Sequence, residues 1–277
     1  MSFTNTVQSS QQSNQPREDF VYKNHLSGRQ EMGIAQKSGL ALYGLSSYAI
    51  GFSGLLAIIF SMAGFIPLGS MFVITDNAVL AIIINIALTL VFGLQHSIMA
   101  RPKFKEFFKS VFREASERST FVWTSGVCAF IMVAFWQPLT GFAWQVESQT
   151  AQIVLWAGFA IGWTYLVAAT FAINHWDLFG LRQVWFALQN KSYVNPEFKE
   201  NWMYRFSRHP IMLGVLIGIW CVPVMTMTKL VLALCFTVYI FIGVGFEEKD
   251  LIREFGKTYI DYKKRVGMFF TVNKSTQ

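Results

Sequence analysis

Long uncharged stretches alternate with short polar, basic ones along most of the chain. Gly39 to Ile66, Ala78 to Ala100 and Ala151 to Asn174 contain no Asp, Glu, Lys or Arg. A helix crossing ~30 Å of hydrocarbon needs ~20 residues, so each run is long enough to span a bilayer. Phe121 to Pro138 is a shorter run of the same kind. Pro210 to Thr228 and Leu230 to Phe246 follow, joined through Met225–Lys229. A link this tight predicts an antiparallel helical hairpin. No run alternates with period two, and lipid offers backbone groups no outside partner, so helices are expected. The pattern predicts an all-α polytopic membrane bundle of five or six spans, the short third run deciding which.

Residues 1–38 are polar and rich in Ser, Gln and Asn. No apolar run lies close to the start, which argues against a signal peptide. Such a composition cannot bury a core, so a disordered or loosely ordered tail, His25 included, is expected ahead of a single membrane domain over 39–277.

Charge fixes the orientation. The chain is 53% hydrophobic and only 14% charged, with a net charge of +7. Twenty-two of its 23 Lys and Arg fall in 1–38, 100–118, 175–209 and 247–277, and the connections on the other side carry Lys229 alone. With six spans all four basic segments lie on one side, which the positive-inside rule makes cytoplasmic, both termini included. In 101–118, Phe104, Phe107, Phe108, Val111 and Phe112 recur at helical spacing among lysines. This predicts an amphipathic helix in the headgroup layer. Cys128, Cys221 and Cys235 lie in apolar runs without metal-ligand spacing. They read as packing residues, and no metal site is expected.

Ionisable groups at membrane depth are costly and mark function. Here they collect at the basic ends of the runs: Gln95-His96-Ser97, Asn174-His175-Trp176-Asp177 with Arg182 and Gln183, Arg208-His209-Pro210, and Glu247-Glu248. Within Tyr204–Gly214, YRFSRHPIMLG, Pro210 suits a first helical position, and the helix start it marks attracts anions. Leu213 and Gly214 follow one turn on. The snorkelling alternative reads Arg208 as a headgroup contact and Gly214 with Gly218 as a packing face. Two adjacent acids ask for a cation. A ligand carrying both an amine and a carboxylate satisfies both clusters, and S-adenosylmethionine is such a ligand. Downstream, Glu248, Ile252, Phe255, Tyr259, Tyr262 and Val266 share one helical face, with Gly256 marking a break. That stripe predicts a lid folded under the bundle, presenting Tyr259 and Tyr262 inward.

Arg208-His209-Pro210, Gly214, a hairpin, Glu247-Glu248, then Leu251, Phe255-Gly256, Tyr259, Tyr262 and Val266 together resemble the isoprenylcysteine carboxyl methyltransferase-like family of integral-membrane methyltransferases. Met212 stands where that family more often has tyrosine. A narrower resemblance, carried by GLQHSIMARPKFK (93–105), ERST (117–120) and NHWDLFGLRQVW (174–185), is to its bacterial thiol-methylating branch. The resemblance implies an inner-membrane enzyme that makes dimethyl sulfide from methanethiol and S-adenosylmethionine, releasing S-adenosylhomocysteine. It places Tyr204, Arg208, His209, Pro210, Leu213, Gly214, Glu247, Glu248, Tyr259 and Tyr262 around the methyl donor.

A thiol reacts as its thiolate, so a base titrating near neutrality is useful. His175 with Arg182, then His96, are the candidates nearest the acceptor. Trp176, Asp177, Phe179 and Trp185 are candidates for its pocket. The expected partners are a small volatile thiol and membrane lipid, not nucleic acid, in a monomer or an oligomer. Rival acceptors are an isoprenylcysteine carboxylate or a phospholipid amine. A rival of another class is a haem-binding subunit ligated by His96 and His175. A proton-coupled carrier is disfavoured because no charged residue lies mid-span.

Overall fold

The computed structural model describes residues 32–69, 71–194 and 198–271. The expected tail, with His25, falls almost entirely outside them. Five helices are long and apolar enough to cross a membrane: α1 (Ile34–Ala63), α2 (Ala78–Met99), α4 (Glu117–Phe135, extended at its start by a 3-10 turn from Glu114), α5 (Gln149–Ile173) and α9 (Met227–Phe255). The short helices are α3 (Pro102–Val111), α6 (His175–Leu178), α7 (Leu181–Leu188), α8 (Pro210–Trp220) and α10 (Lys257–Arg265). A two-stranded antiparallel sheet joins β1 (Phe142–Gln145) to β2 (Val224–Thr226). The bundle is all-α apart from this small sheet.

Local chemistry sets the helix ends. Asn77 caps α2 by accepting from the Val79 and Leu80 N–H groups, and the Thr226 hydroxyl caps α9 through Lys229 N–H. The third apolar run is long enough because the helix begins upstream of Phe121, taking Glu117 and Arg118 into its first turn. It stops at Phe135 because Gln137 precedes a proline and is pushed out of helical geometry.

Two departures concern the hairpin. The fifth run is helical only to Trp220, ~16 Å of rise and too short to span. The crossing is completed by extended chain, and Met225–Thr226, expected in a loop, lies in β2. Non-helical backbone survives at such depth only if protein satisfies it. Here β1 supplies the ladder, Val146 N–H donates to the Pro223 carbonyl, and Trp144 Nε1 donates to the Val222 carbonyl. The second departure is at the other end. The lid does not begin after Phe246, because α9 runs on to Phe255. The chain then breaks at Gly256, whose φ of 56° suits glycine, and α10 folds back.

Small residues let helices meet closely. A Cβ on Gly54 of α1 would lie 2.8 Å from the Gly126 Cα of α4. One on Gly214 of α8 would lie 2.7 Å from the Gly162 carbonyl oxygen of α5. These are the small-residue seams of membrane bundles. The main core runs between them through Met62, Met132, Trp136, Ile219, Met225 and Leu232. A separate cluster of Tyr259, Tyr262 and Val266, with Phe198, Leu251, Ile252 and Phe255, docks the lid. The inward stripe expected from the sequence is this cluster.

Candidate active site

The basic ends of the helices carry two charged clusters. The first joins α8, α9 and α10. Arg208 places Nε 2.8 Å and Nη2 2.7 Å from Glu248 Oε1, and Lys263 reaches Glu248 Oε2 at 2.5 Å. Glu248 is 4% exposed. The other edge of Arg208 donates to the carbonyls of Lys263 and Val266. His209, also buried, aims Nε2 at Glu248 and Nδ1 at Glu247, each at 3.3 Å. The backbone continues the clamp: Arg208 and His209 N–H groups donate to the Gly267 and Met268 carbonyls, and the Tyr262 hydroxyl donates to the Tyr204 carbonyl at 2.6 Å. Arg208 and Glu248 therefore fasten the lid to the entry of α8, and their valences are filled by protein.

Other groups in this cluster stay open. The Glu247 side chain is 47% exposed and has His209 as its ion-pair partner. Among the described residues the buried Tyr259 hydroxyl has no hydrogen-bond partner. Burial, then the charge of Glu248, pushes that phenol above its ordinary pKa, so it remains a donor. The Tyr204 phenol is raised in the same way, by burial and then by Glu247. At the start of α8, Pro210 has no N–H, and among the described residues the Ile211 and Met212 N–H groups have no acceptor. Leu213 is buried one turn on. Gly214 faces the α5 seam and opens onto no cleft, as the packing-face reading of that residue expected.

The second cluster joins the ends of α2, α4, α6 and α7. Asp177 Oδ1 accepts from Arg182 at 3.2 Å and from the Tyr193 hydroxyl at 2.8 Å. Arg182 also lies over the Phe186 and Tyr193 rings. His175 is buried and stacks on Phe171 with centroids 4.2 Å apart. Its Nδ1 is 2.8 Å from Thr170 Oγ1, whose hydroxyl donates to the Val167 carbonyl. This network assigns the imidazole proton to Nδ1 and leaves Nε2 to accept from the Tyr48 hydroxyl at 3.0 Å. Both ring nitrogens are thus engaged, which leaves none for a haem iron. Burial lowers the His175 pKa and keeps the ring neutral. His96 differs. Its Nδ1 lies 3.2 Å from Ser125 Oγ, which donates to the Phe121 carbonyl, so Nδ1 carries the proton. Among the described residues nothing bonds Nε2. Of the four pocket candidates, Phe179 packs against His175 and Tyr48, while Trp176 and Trp185 are 53% and 60% exposed.

The clusters are neighbours. Arg101, just past α2, pairs with Asp250 at 2.5 Å and lies over the Phe246 ring, clamping the His96 end of α2 against the Glu247 turn of α9. His96 feels the charges of both Arg118 and Glu247, one from each cluster. Tyr48, Tyr193 and Lys263 were not singled out in the sequence, and Arg118 entered only as part of ERST, with no role given to it. Tyr48 shares its span with Tyr43, Ser46, Ser47, Ser53 and Ser61, so its polarity there gave no signal of its own. A cleft of about 300 Å³ opens at the opposite end of the bundle, lined by Ser61, Thr226, Thr228 and Lys229 among others. It lies ~27 Å along α9 from Glu247 and has no acid or histidine in its lining.

Known proteins are similar to this chain in sequence. Methanethiol S-methyltransferase 1 of Bradyrhizobium diazoefficiens is 37% identical over 235 residues, 84% of this chain and 82% of the relative. The methanethiol S-methyltransferase of Pseudomonas deceptionensis is 41% identical over 189 residues, 68% of this chain and 72% of the relative. Nurim of Danio rerio is 26% identical over 179 residues, 61% and 64% of the two chains. No family model matches the chain, and no solved structure does. Identity at this level over four-fifths of both chains shows that this polytopic helical protein belongs to the methanethiol S-methyltransferase family.

Proposed function

We propose that the chain transfers the methyl group of S-adenosylmethionine to methanethiol, giving dimethyl sulfide and S-adenosylhomocysteine at the cytoplasmic face of a bacterial inner membrane. The observation that carries the reading is the pair of adjacent acids in unequal states. Glu248 is consumed in holding the lid, while Glu247 is left half-exposed beside an unpartnered buried Tyr259 hydroxyl. An amino acid bearing a sulfonium suits such a set. Glu247 meets its cation, and Tyr259 with the free N–H groups of α8 meets its carboxylate. The donor supplies an electrophilic methyl carbon. The protein must align the acceptor sulfur with it and remove a proton.

His96 is the base in this reading. Among the described residues its Nε2 has no partner, its tautomer is set by Ser125, and charges of both clusters, Arg118 and Glu247, act on it. His175 acts as a positioning residue through Tyr48 and Phe179. Asp177 and Arg182 brace the wall opposite. A small apolar thiol partitions into lipid and needs little room, which suits a rim rich in aromatic side chains. The test is direct: purified protein, S-adenosylmethionine and methanethiol, with headspace assay of dimethyl sulfide. Product above a no-enzyme control is expected. Donor bound by calorimetry without product overturns the acceptor assignment, and no donor binding overturns the reading as a whole.

A further inference from the structure

Arg118 is a charged group at the rim whose donors the described residues leave mostly open. It stands in the first turn of α4, half-buried, and its Nε donates to the Leu178 carbonyl at 2.7 Å. A guanidinium has five N–H donors. Among the described residues, the four on the terminal nitrogens have no acceptor, and Arg118 forms no ion pair. This is not for want of acids nearby. Glu117 and Asp177 both act on it electrostatically, yet the hydrogen bonds of Asp177 Oδ1 go to Arg182 and Tyr193. The guanidinium is held in place by Leu178 on one edge and by the Phe121 ring beneath it, 4.7 Å to the centroid. The same ring lies 4.7 Å from that of His96. Met99, Phe121 and Phe179 form an apolar wall around this spot.

We propose that the terminal N–H groups of Arg118 bind the acceptor sulfur as a thiolate, next to the base at His96. The inference rests on the methyl-transfer reading and names a binding group that reading lacks. An opposite charge within a few ångströms lowers a thiol pKa by about 1–3 units. Arg118 thereby raises the fraction of nucleophile and fixes where its lone pair points. The step balances. The S–H proton passes to His96 Nε2. The sulfur pair forms a bond to the methyl carbon. The carbon–sulfonium bond of the donor breaks with its electrons going to the donor sulfur, which leaves two neutral thioethers, and His96 returns the proton to water. The apolar wall then favours a short alkyl group on the acceptor.

Three proteins decide it: wild type, Arg118→Gln and Arg118→Lys. Each is assayed for donor affinity, for melting temperature in detergent, and for kcat and KM toward methanethiol. Methanethiol binding is also measured by calorimetry on protein loaded with S-adenosylhomocysteine, where no methyl can move. Arg118→Gln is expected to keep donor affinity within about twofold, and to lose about 10- to 100-fold in kcat/KM for the thiol together with binding in the dead-end complex. Arg118→Lys, which restores the charge, is expected to regain part of both. Thiol binding and kcat/KM unchanged in Arg118→Gln overturn the proposal. So does an equal loss in both variants accompanied by a fall in melting temperature, which marks a structural role. If the wild type binds donor but makes no dimethyl sulfide, the methanethiol reading falls, while the dead-end complex still tests Arg118.

Discussion

The two charged clusters at the rim are built on opposite plans. Arg208 is filled: both edges of its guanidinium meet Glu248 or the Lys263 and Val266 carbonyls, and its own backbone N–H is bonded to Gly267. Arg118 has a single described hydrogen bond and open terminal nitrogens. Arg208 is the residue that looks like a ligand group in the sequence, and Arg118 is only the last residue of a basic segment read as a headgroup-layer helix. The difference teaches that a charge near a site is structural or receptive according to how many of its valences the protein has already closed. The adjacent acids repeat the lesson, since Glu248 is buried among three cations or near-cations and Glu247 is half-exposed with one.

The largest break in this comparison comes from emptying the closed cluster. Glu248→Ala leaves Arg208 buried without its partner, which costs about 3–5 kcal/mol. A large fall in melting temperature is expected even with no donor present. A melting temperature equal to that of the wild type would show that Glu248 does not hold the lid. Glu247→Ala should behave in the reverse way. Its exposed pair contributes at most about 1 kcal/mol to folding, while a charge-assisted contact to a ligand is worth about 1.5–3 kcal/mol. Donor affinity measured by calorimetry should therefore fall by roughly 10- to 100-fold with little change in melting. Unchanged affinity would remove Glu247 from the donor site.

Much of this was legible from the chain. The run lengths and the lysine–arginine asymmetry point to the end of the bundle where both charged clusters lie. The three- and four-residue steps from Glu248 to Val266 mark the inward stripe, and Gly256 marks its break. What was hidden depends on residues far apart in sequence. Nothing near Arg208 says that Lys263 and the Val266 carbonyl, more than 50 positions on, will fill its valences. Nothing near Gly214 says that Gly162 lies against it. A three-residue strand such as β2 is too short to show a period, so the extended half of the fifth run reads as helix and loop. His175 and His96 look equivalent as histidines at span ends. They separate only when Tyr48, from the first span, is seen to take up the Nε2 of one and not the other.

A smaller effect tests the seam between lid and donor cluster. Tyr262→Phe removes the hydroxyl that bonds the Tyr204 carbonyl and leaves the packing of the ring intact. The loss of one buried hydrogen bond costs about 1 kcal/mol. Proteolysis of the C-terminal segment should quicken and the melting temperature should fall slightly, with recovery on donor binding. Proteolysis as slow as in the wild type would mean that the cluster of Tyr259, Val266 and their neighbours holds the lid alone.

The smallest effect concerns the acceptor wall and is read through pH. An exposed imidazole titrates near 6.5, and burial holds folded His175 below that. As pH falls through 6.5, the unfolded chain takes up the proton before the folded one does. The stability contributed by neutral His175 is therefore complete above about pH 6.5 and drains away as pH falls toward the lower folded value. Protonation also adds an N–H at Nε2, where the Tyr48 hydroxyl now donates, so the contact that positions the ring is lost with the charge. His175→Gln cannot titrate, so the difference between the two proteins isolates this ring. Melting temperatures of the two should differ most above pH 7 and converge toward pH 5. Parallel curves across that range would show that His175 is not buried neutral, and would reopen the choice between it and His96 as the group that takes the thiol proton.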